Sequence, residues 1–249
     1  MALDITHFVK EFEEELRGAG DPERSVNEKA YLKSDLEFLG TGFFEVGRRI
    51  KELMKASPLD HDASLALAHQ LWRRPIFETR AAAVEVLTRR EQALTPADFP
   101  LLEQLIRESR TWALVDGLAG DVAGAVVARS PIESGPVLDR WTADSDFWVR
   151  RSALLAELKP LRAGASFGRF GRHADALLDE KEFFIRKAIG WVLRETGKRR
   201  PDEVIAWLAP RTHRASGVTM REAVRYLPDP WPERLMAAYK AKQPTLDTR

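Results

Sequence analysis

One short phrase recurs along this chain and constrains its fold more than any other feature. It reads Phe77-Glu-Thr-Arg80-Ala-Ala82, Phe147-Trp-Val-Arg150-Arg-Ser152, Phe183-Phe-Ile-Arg186-Lys-Ala188 and Val218-Thr-Met-Arg221-Glu-Ala223. Each copy has an apolar residue, an Arg three positions on, and a small residue two further. A fifth segment, Arg110 to Asp116, fits the same frame with Ala113 in the Arg position. The frame positions 80, 113, 150, 186 and 221 step by 33, 37, 36 and 35 residues. A period of that size means stacked helical hairpins, each too small to bury its apolar face alone. The Trp, Gly and Tyr signature of tetratricopeptide repeats is missing, so short HEAT-like repeats fit better. The expected fold is all-α: a right-handed α-solenoid of HEAT-like helical hairpins with a concave groove.

The rest of the chain agrees with that reading. Apolar residues recur at helical spacing, as in Phe99, Leu102, Leu105 and Ile106, and no sustained alternation marks a strand. Prolines at 58, 96, 131, 160, 201 and 232 mark loops or first helical turns. The repeats are expected to form a single domain over residues 1–227, followed by a C-terminal extension, 228–249, whose order the sequence leaves open. The Gly164 to Gly171 stretch lacks phosphate-loop spacing and a preceding strand, so it is read as a connection between repeats.

Several chemistries are excluded. Among 249 residues there is no cysteine, which removes disulfides, thiolate metal sites and thiol nucleophiles. His61, His69, His173 and His213 show no metal-ligand spacing, so neither metal nor cofactor is expected. The acidic start of the chain is unlike a secretory leader, and its most apolar stretch, Ala113 to Ala128, is broken by Asp116 and Asp121. A cytoplasmic location is expected. The formal net charge is only +1, but its distribution is uneven. Glu180 to Arg225 holds 11 Lys and Arg against 6 Asp and Glu, while the first 20 residues hold 2 against 5. Such asymmetry suits an anion-binding face, although basic helix ends explain it equally well.

Three residues past the frame position the five segments read Ala83, Asp116, Ala153, Ile189 and Val224. Four are apolar and one is a carboxylate, which is costly to bury without partners. Asp116 is therefore expected at the edge of the concave face, with a functional role or with a cap or Arg partner. Trp112 precedes it by one helical turn. Trp191 lies five past its frame position, and Arg151 one past its own. Each alone reads as core or solvated surface; together on successive repeats they would line one groove.

At these residues the chain resembles the AlkD-type alkylpurine DNA glycosylases, a HEAT-like DNA repair family. The likeness is carried by Tyr31 to Gly40, Thr111 to Asp116, Phe147 to Leu154 and Lys181 to Arg194, and runs from about Phe8 to Leu227. It implies excision of cationic N3- and N7-alkylated purines, such as 3-methyladenine and 7-methylguanine, from duplex DNA, without cofactor and without base flipping. Asp116 matches the catalytic Asp, Arg151 the groove Arg, and Trp112 and Trp191 the flanking tryptophans. Thr111 departs from members with a second aromatic residue before the tryptophan. The groove is then expected to bind DNA, with Lys29, Lys33, Arg186, Lys187, Arg194, Lys198, Arg199 and Arg214 as candidate phosphate contacts. Double-stranded DNA is the expected partner and a monomer the expected state. Two rival readings remain: a non-catalytic solenoid that binds DNA of unusual structure, and a scaffold for protein partners.

Overall fold

The computed structural model describes residues 3–242, and among them every regular element is helical. The described residues divide into two compact units at Val122 and Ala123. The first holds α1 (Ile5–Ala19), α2 (Pro22–Leu32), α3 (Phe43–Ala56), α4 (His61–Trp72), α5 (Phe77–Arg89), α6 (Phe99–Glu108) and α7 (Trp112–Asp116). The second holds α8 (Gly124–Arg129), α9 (Pro131–Thr142), α10 (Phe147–Leu155), α11 (Leu158–Arg162), α12 (Gly168–Ala176), α13 (Phe183–Gly197), α14 (Pro201–Leu208), α15 (Gly217–Ala223) and α16 (Trp231–Ala241). A wide π-helical turn, Gly117–Ala123, follows α7 and contains the division.

Local sequence explains where the helices begin. The carboxylates of Asp4, Asp21, Asp60, Asp146 and Glu182 and the hydroxyl of Ser216 accept backbone N–H bonds at the starts of α1, α2, α4, α10, α13 and α15. Proline stands in the first turn of α2, α6, α9, α14 and α16, where no intrahelical donor is lost. The Gly164 stretch is a connection only in its first half, because α12 already starts at Gly168. Beyond residue 227 the chain forms α16, which buries Leu235. The last seven residues of the expected extension lie outside the described residues.

The repeated Arg has a visible architectural task. Arg80, Arg150 and Arg186 each donate to the carbonyl six residues earlier: Arg74 (3.3 Å), Asp144 (2.7 Å) and Glu180 (2.6 Å). The guanidinium thus clasps the turn that leads into its own helix and satisfies carbonyls left open there. The hairpins then join at the repeat distance within each unit. In the first, Trp72 Nε1 donates to Glu108 and His61 pairs with Asp98. In the second, Trp207 Nε1 donates to the Gly171 carbonyl, Thr219 Oγ1 to the Arg186 carbonyl, and Arg211 to Asp175. Partners in these bonds are 33 to 37 residues apart, which is the period of the sequence.

The helix starts correct one part of the repeat frame. Phe77, Trp112, Phe147, Phe183 and Gly217 begin α5, α7, α10, α13 and α15, spaced 35, 35, 36 and 34 residues apart. This spacing is more even than that of the sequence phrase, which slid by two residues when Ala113 was placed opposite the Arg. In the structural register Asp116 is equivalent to Ala81, Arg151, Lys187 and Arg221, not to the apolar series. Leu118 takes the apolar place, fully buried like Ala83, Ala153 and Ile189. Asp116 is a carboxylate where three of the other four repeats carry a cation.

A buried carboxylate anchors the first unit. Glu78, only 1% exposed, accepts N–H bonds from Leu39 (2.9 Å), Gly40 (2.7 Å) and Thr41 (3.2 Å). Burial pushes its pKa upward, and these donors oppose that rise. The bonds tie the α2–α3 connection to the first turn of α5, beside a single parallel bridge between Glu37 and Ile76. Gly40 is required here: its φ is +80°, and a Cβ would lie 2.0 Å from the Asp21 carbonyl oxygen. Replacing Glu78 with Ala strands three donors and should cost about 3 kcal/mol. Urea unfolding should show a much smaller loss for Glu78→Gln, which keeps one acceptor oxygen.

Candidate active site

In the first unit, α7 is a five-residue helix that buries Leu114 and Val115 and leaves Trp112 and Asp116 half-buried. Spacing of one turn sets the two on one face. The helix lies close against α5, because a Cβ on Gly117 would stand 2.8 Å from Val84 Cγ1. That contact sets how closely the turn after Asp116 approaches α5. The π-helical turn begins at the next residue, and such turns recur at functional sites. Tyr31, 72% exposed on α2, meets Trp112 edge to face with ring centroids 5.9 Å apart. Its place in this site is not legible from periodicity, since an exposed Tyr on a polar helix reads as surface. Only the Tyr31 to Gly40 segment, singled out as a motif, pointed to it.

In the second unit, Arg151 is 3% exposed and donates from Nη1 to the Phe184 carbonyl at 2.5 Å. Its guanidinium also lies 5.7 Å from the centre of the Phe184 ring. Phe184 packs on Trp148 at 4.8 Å, and Trp148 on Phe147 at 4.4 Å. Arg151 is thus held in an aromatic cluster rather than standing free on the surface. Phe184 follows it by 33 residues, one repeat on, which was the available signal for this partner. Trp191 is half-buried on α13. The adjoining Gly190 allows α13 and α15 to touch, since a Cβ there would stand 2.7 Å from Glu222 Cβ.

The eight candidate phosphate contacts separate into two groups. Lys29 and Lys33 are exposed on α2 and its C-terminal cap. The other six already hold partners within the second unit. Lys187 and Arg194 pair with Glu222, Lys198 with Glu195, and Arg214 with Asp175 and Asp179. Arg186 clasps the Glu180 carbonyl, and Arg199 donates to that of Arg162. Among the described residues no group of three or more His, Asp or Glu could hold a metal ion, and no helix is long and apolar enough to cross a membrane.

The family model described as DNA alkylation repair enzyme matches residues 12–227. The chain belongs to this DNA alkylation repair family. Solved structures share the helical-repeat fold. A predicted DNA alkylation repair enzyme from Enterococcus faecalis has a TM-score of 0.76 at 23% identity, over 84% of this chain and 97% of that one. AlkD2 from Streptococcus mutans has a TM-score of 0.63 at 16% identity, over 90% and 99%. The protein smu.31 from Streptococcus mutans UA159 has a TM-score of 0.58 at 17% identity, over 74% and 92%. None of the curated proteins matches the chain. Membership supports a role in DNA repair and, with it, binding to DNA.

Two outcomes follow from this geometry. Gly117→Ala forces α7 away from α5 and should destabilise the fold by about 1 kcal/mol or more; pairing it with Val84→Ala should recover part of that loss in a double-mutant cycle. The second concerns pH. Arg211 and Arg214 hold the Asp175 and Asp179 carboxyls, respectively, below their ordinary pKa. A lowered pKa in the folded state adds stability above the unfolded value, about 4, and loses it as pH falls through the folded value. Thermal melts should therefore drop below about pH 4, with a shallower drop in Asp175→Asn.

Proposed function

We propose that this repair protein is a monofunctional DNA glycosylase that removes cationic N3- and N7-alkylpurines, with Asp116 as its catalytic carboxylate. The observation that carries the reading is Asp116 itself: a half-buried carboxylate one turn from Trp112, where other repeats carry Arg151, Lys187 and Arg221. A carboxylate at that point suits a substrate whose sugar takes on positive charge as the glycosidic bond breaks.

Alkylation at N3 or N7 places a full positive charge on the purine. When the C1′–N9 bond breaks, its electron pair goes to the base, which leaves as a neutral alkylpurine. The deoxyribose becomes an oxocarbenium ion, and a nearby carboxylate stabilises it. Water then adds at C1′ and its proton passes to the Asp116 carboxylate or to solvent, leaving an abasic site. No general acid is needed for such a leaving group, so no metal or cofactor is invoked. Trp112 and Tyr31 offer aromatic surface to the cationic sugar and its backbone. In the second unit, Trp191 and Arg151 are proposed duplex contacts. The Phe184 carbonyl and ring hold the Arg151 guanidinium in one place. Lys29 and Lys33 are the proposed phosphate contacts most open to solvent. Attack on the sugar in place requires no base flipping, and the protein is expected to act as a monomer.

Single-turnover release of 7-methylguanine from a defined duplex tests this reading. Asp116→Asn should slow release by about 100-fold or more while leaving duplex affinity within a few-fold of wild type. Wild-type rates in the variant would remove Asp116 from the chemistry. No release by either protein, with salt-sensitive DNA binding, would favour the non-catalytic DNA-binding solenoid.

A further inference from the structure

The first unit contains two long cations at backbone positions that suit neither. Lys33 has φ +48° and Arg110 has φ +54°, both in the left-handed region. Lys33 closes α2, its N–H donating to the Lys29 carbonyl at 3.0 Å, and Arg110 follows Ser109, the cap of α6. Glycine is the usual occupant of such positions because a side chain there costs about 1 kcal/mol. A cation that only complements the helix dipole could sit anywhere in the last turn without that strain.

Both positions flank the aromatic pair of the candidate site. Lys33 lies two residues after Tyr31, and Arg110 two residues before Trp112, the rings that meet edge to face. The Arg110 guanidinium is paired with Asp35, and the two side chains are 61% and 63% exposed. An ion pair so open to water is weak and readily exchanged. Arg80 lies near enough to sense both charges, and its own guanidinium is half-buried over Trp72 at 4.9 Å. Arg80 therefore repels Arg110 and attracts Asp35.

We propose that Arg110 is a DNA-phosphate contact of this site, and that Asp35 is the counter-ion it exchanges for the phosphate on binding. Lys33, exposed two residues after Tyr31, contributes a second charge. The assignment rests on the reading that the site takes duplex DNA, and it holds whether or not excision follows. Left-handed backbone at both positions aims the cations, and the cost is tolerated because function uses the aim. Asp35 restrains the Arg110 side chain until a phosphate replaces it.

The test is binding to an unmodified 15-base-pair duplex, followed by fluorescence anisotropy across a salt series, together with urea unfolding of each variant. Arg110→Gly should bind about tenfold more weakly at low salt, with a log–log salt slope shallower by about one. Its urea midpoint should equal or exceed that of wild type, because glycine relieves the backbone. Asp35→Asn should bind more tightly than wild type, and most of that gain should vanish in the Arg110→Gly background. An unchanged salt slope in Arg110→Gly, a lowered urea midpoint, or an equal gain from Asp35→Asn in both backgrounds would each overturn the proposal. These readouts concern binding and stability and not excision, so their failure leaves the catalytic reading intact. Failure of wild type to release 7-methylguanine would strike that reading and not this one.

Discussion

Contact between consecutive hairpins is the interaction on which this molecule depends. A hairpin of about 35 residues has two faces to cover and too little chain to cover them. Each unit solves the problem by repetition: Trp72 reaches Glu108, Trp207 reaches Gly171 and Arg211 reaches Asp175, all one repeat away. Buried indole N–H groups and a guanidinium are satisfied in an adjoining hairpin, so the polar and apolar interactions share one period. The clasping Arg of α5, α10 and α13 fixes the entry of each helix, and that fixes what the next turn presents.

Against this regular background α7 is the exception. It is five residues long, runs into a π-helical turn, and has Val115 where the clasping Arg would stand. The turn before it is held by Arg110 in a left-handed conformation. Local rules are broken at the repeat that carries Asp116 and kept in its neighbours. Departures of this kind concentrate where a chain is used rather than merely packed.

Much of this was legible in the sequence. The period, the all-helical class and the family resemblance all follow from the repeated phrase and the segments around Trp112, Arg151 and Trp191. The register of α7 is not, because Ala113 fits the phrase in the Arg position, which shifts Asp116 onto an apolar one. Only helix starts, set by caps and aromatic first residues, fix that register. Nor could spacing reveal that Glu78 is buried and bonded to the Gly40 loop, since an acidic residue in a first helical turn ordinarily faces water. The partners of the basic residues were hidden in the same way. Lys187, Arg194 and Arg214 read as open cations in one dimension, yet their partners Glu222 and Asp175 lie a repeat distant or on the neighbouring helix.

In the proposed mechanism positive charge on the purine does most of the work, with a carboxylate stabilising the sugar. Excision should therefore be confined to cationic bases. The direct measurement compares single-turnover release of 7-methylguanine and of hypoxanthine, a neutral purine, from otherwise identical duplexes. The proposed mechanism predicts release of the first and none above background of the second. Comparable release of both would show that the protein supplies a general acid, and would contradict the mechanism.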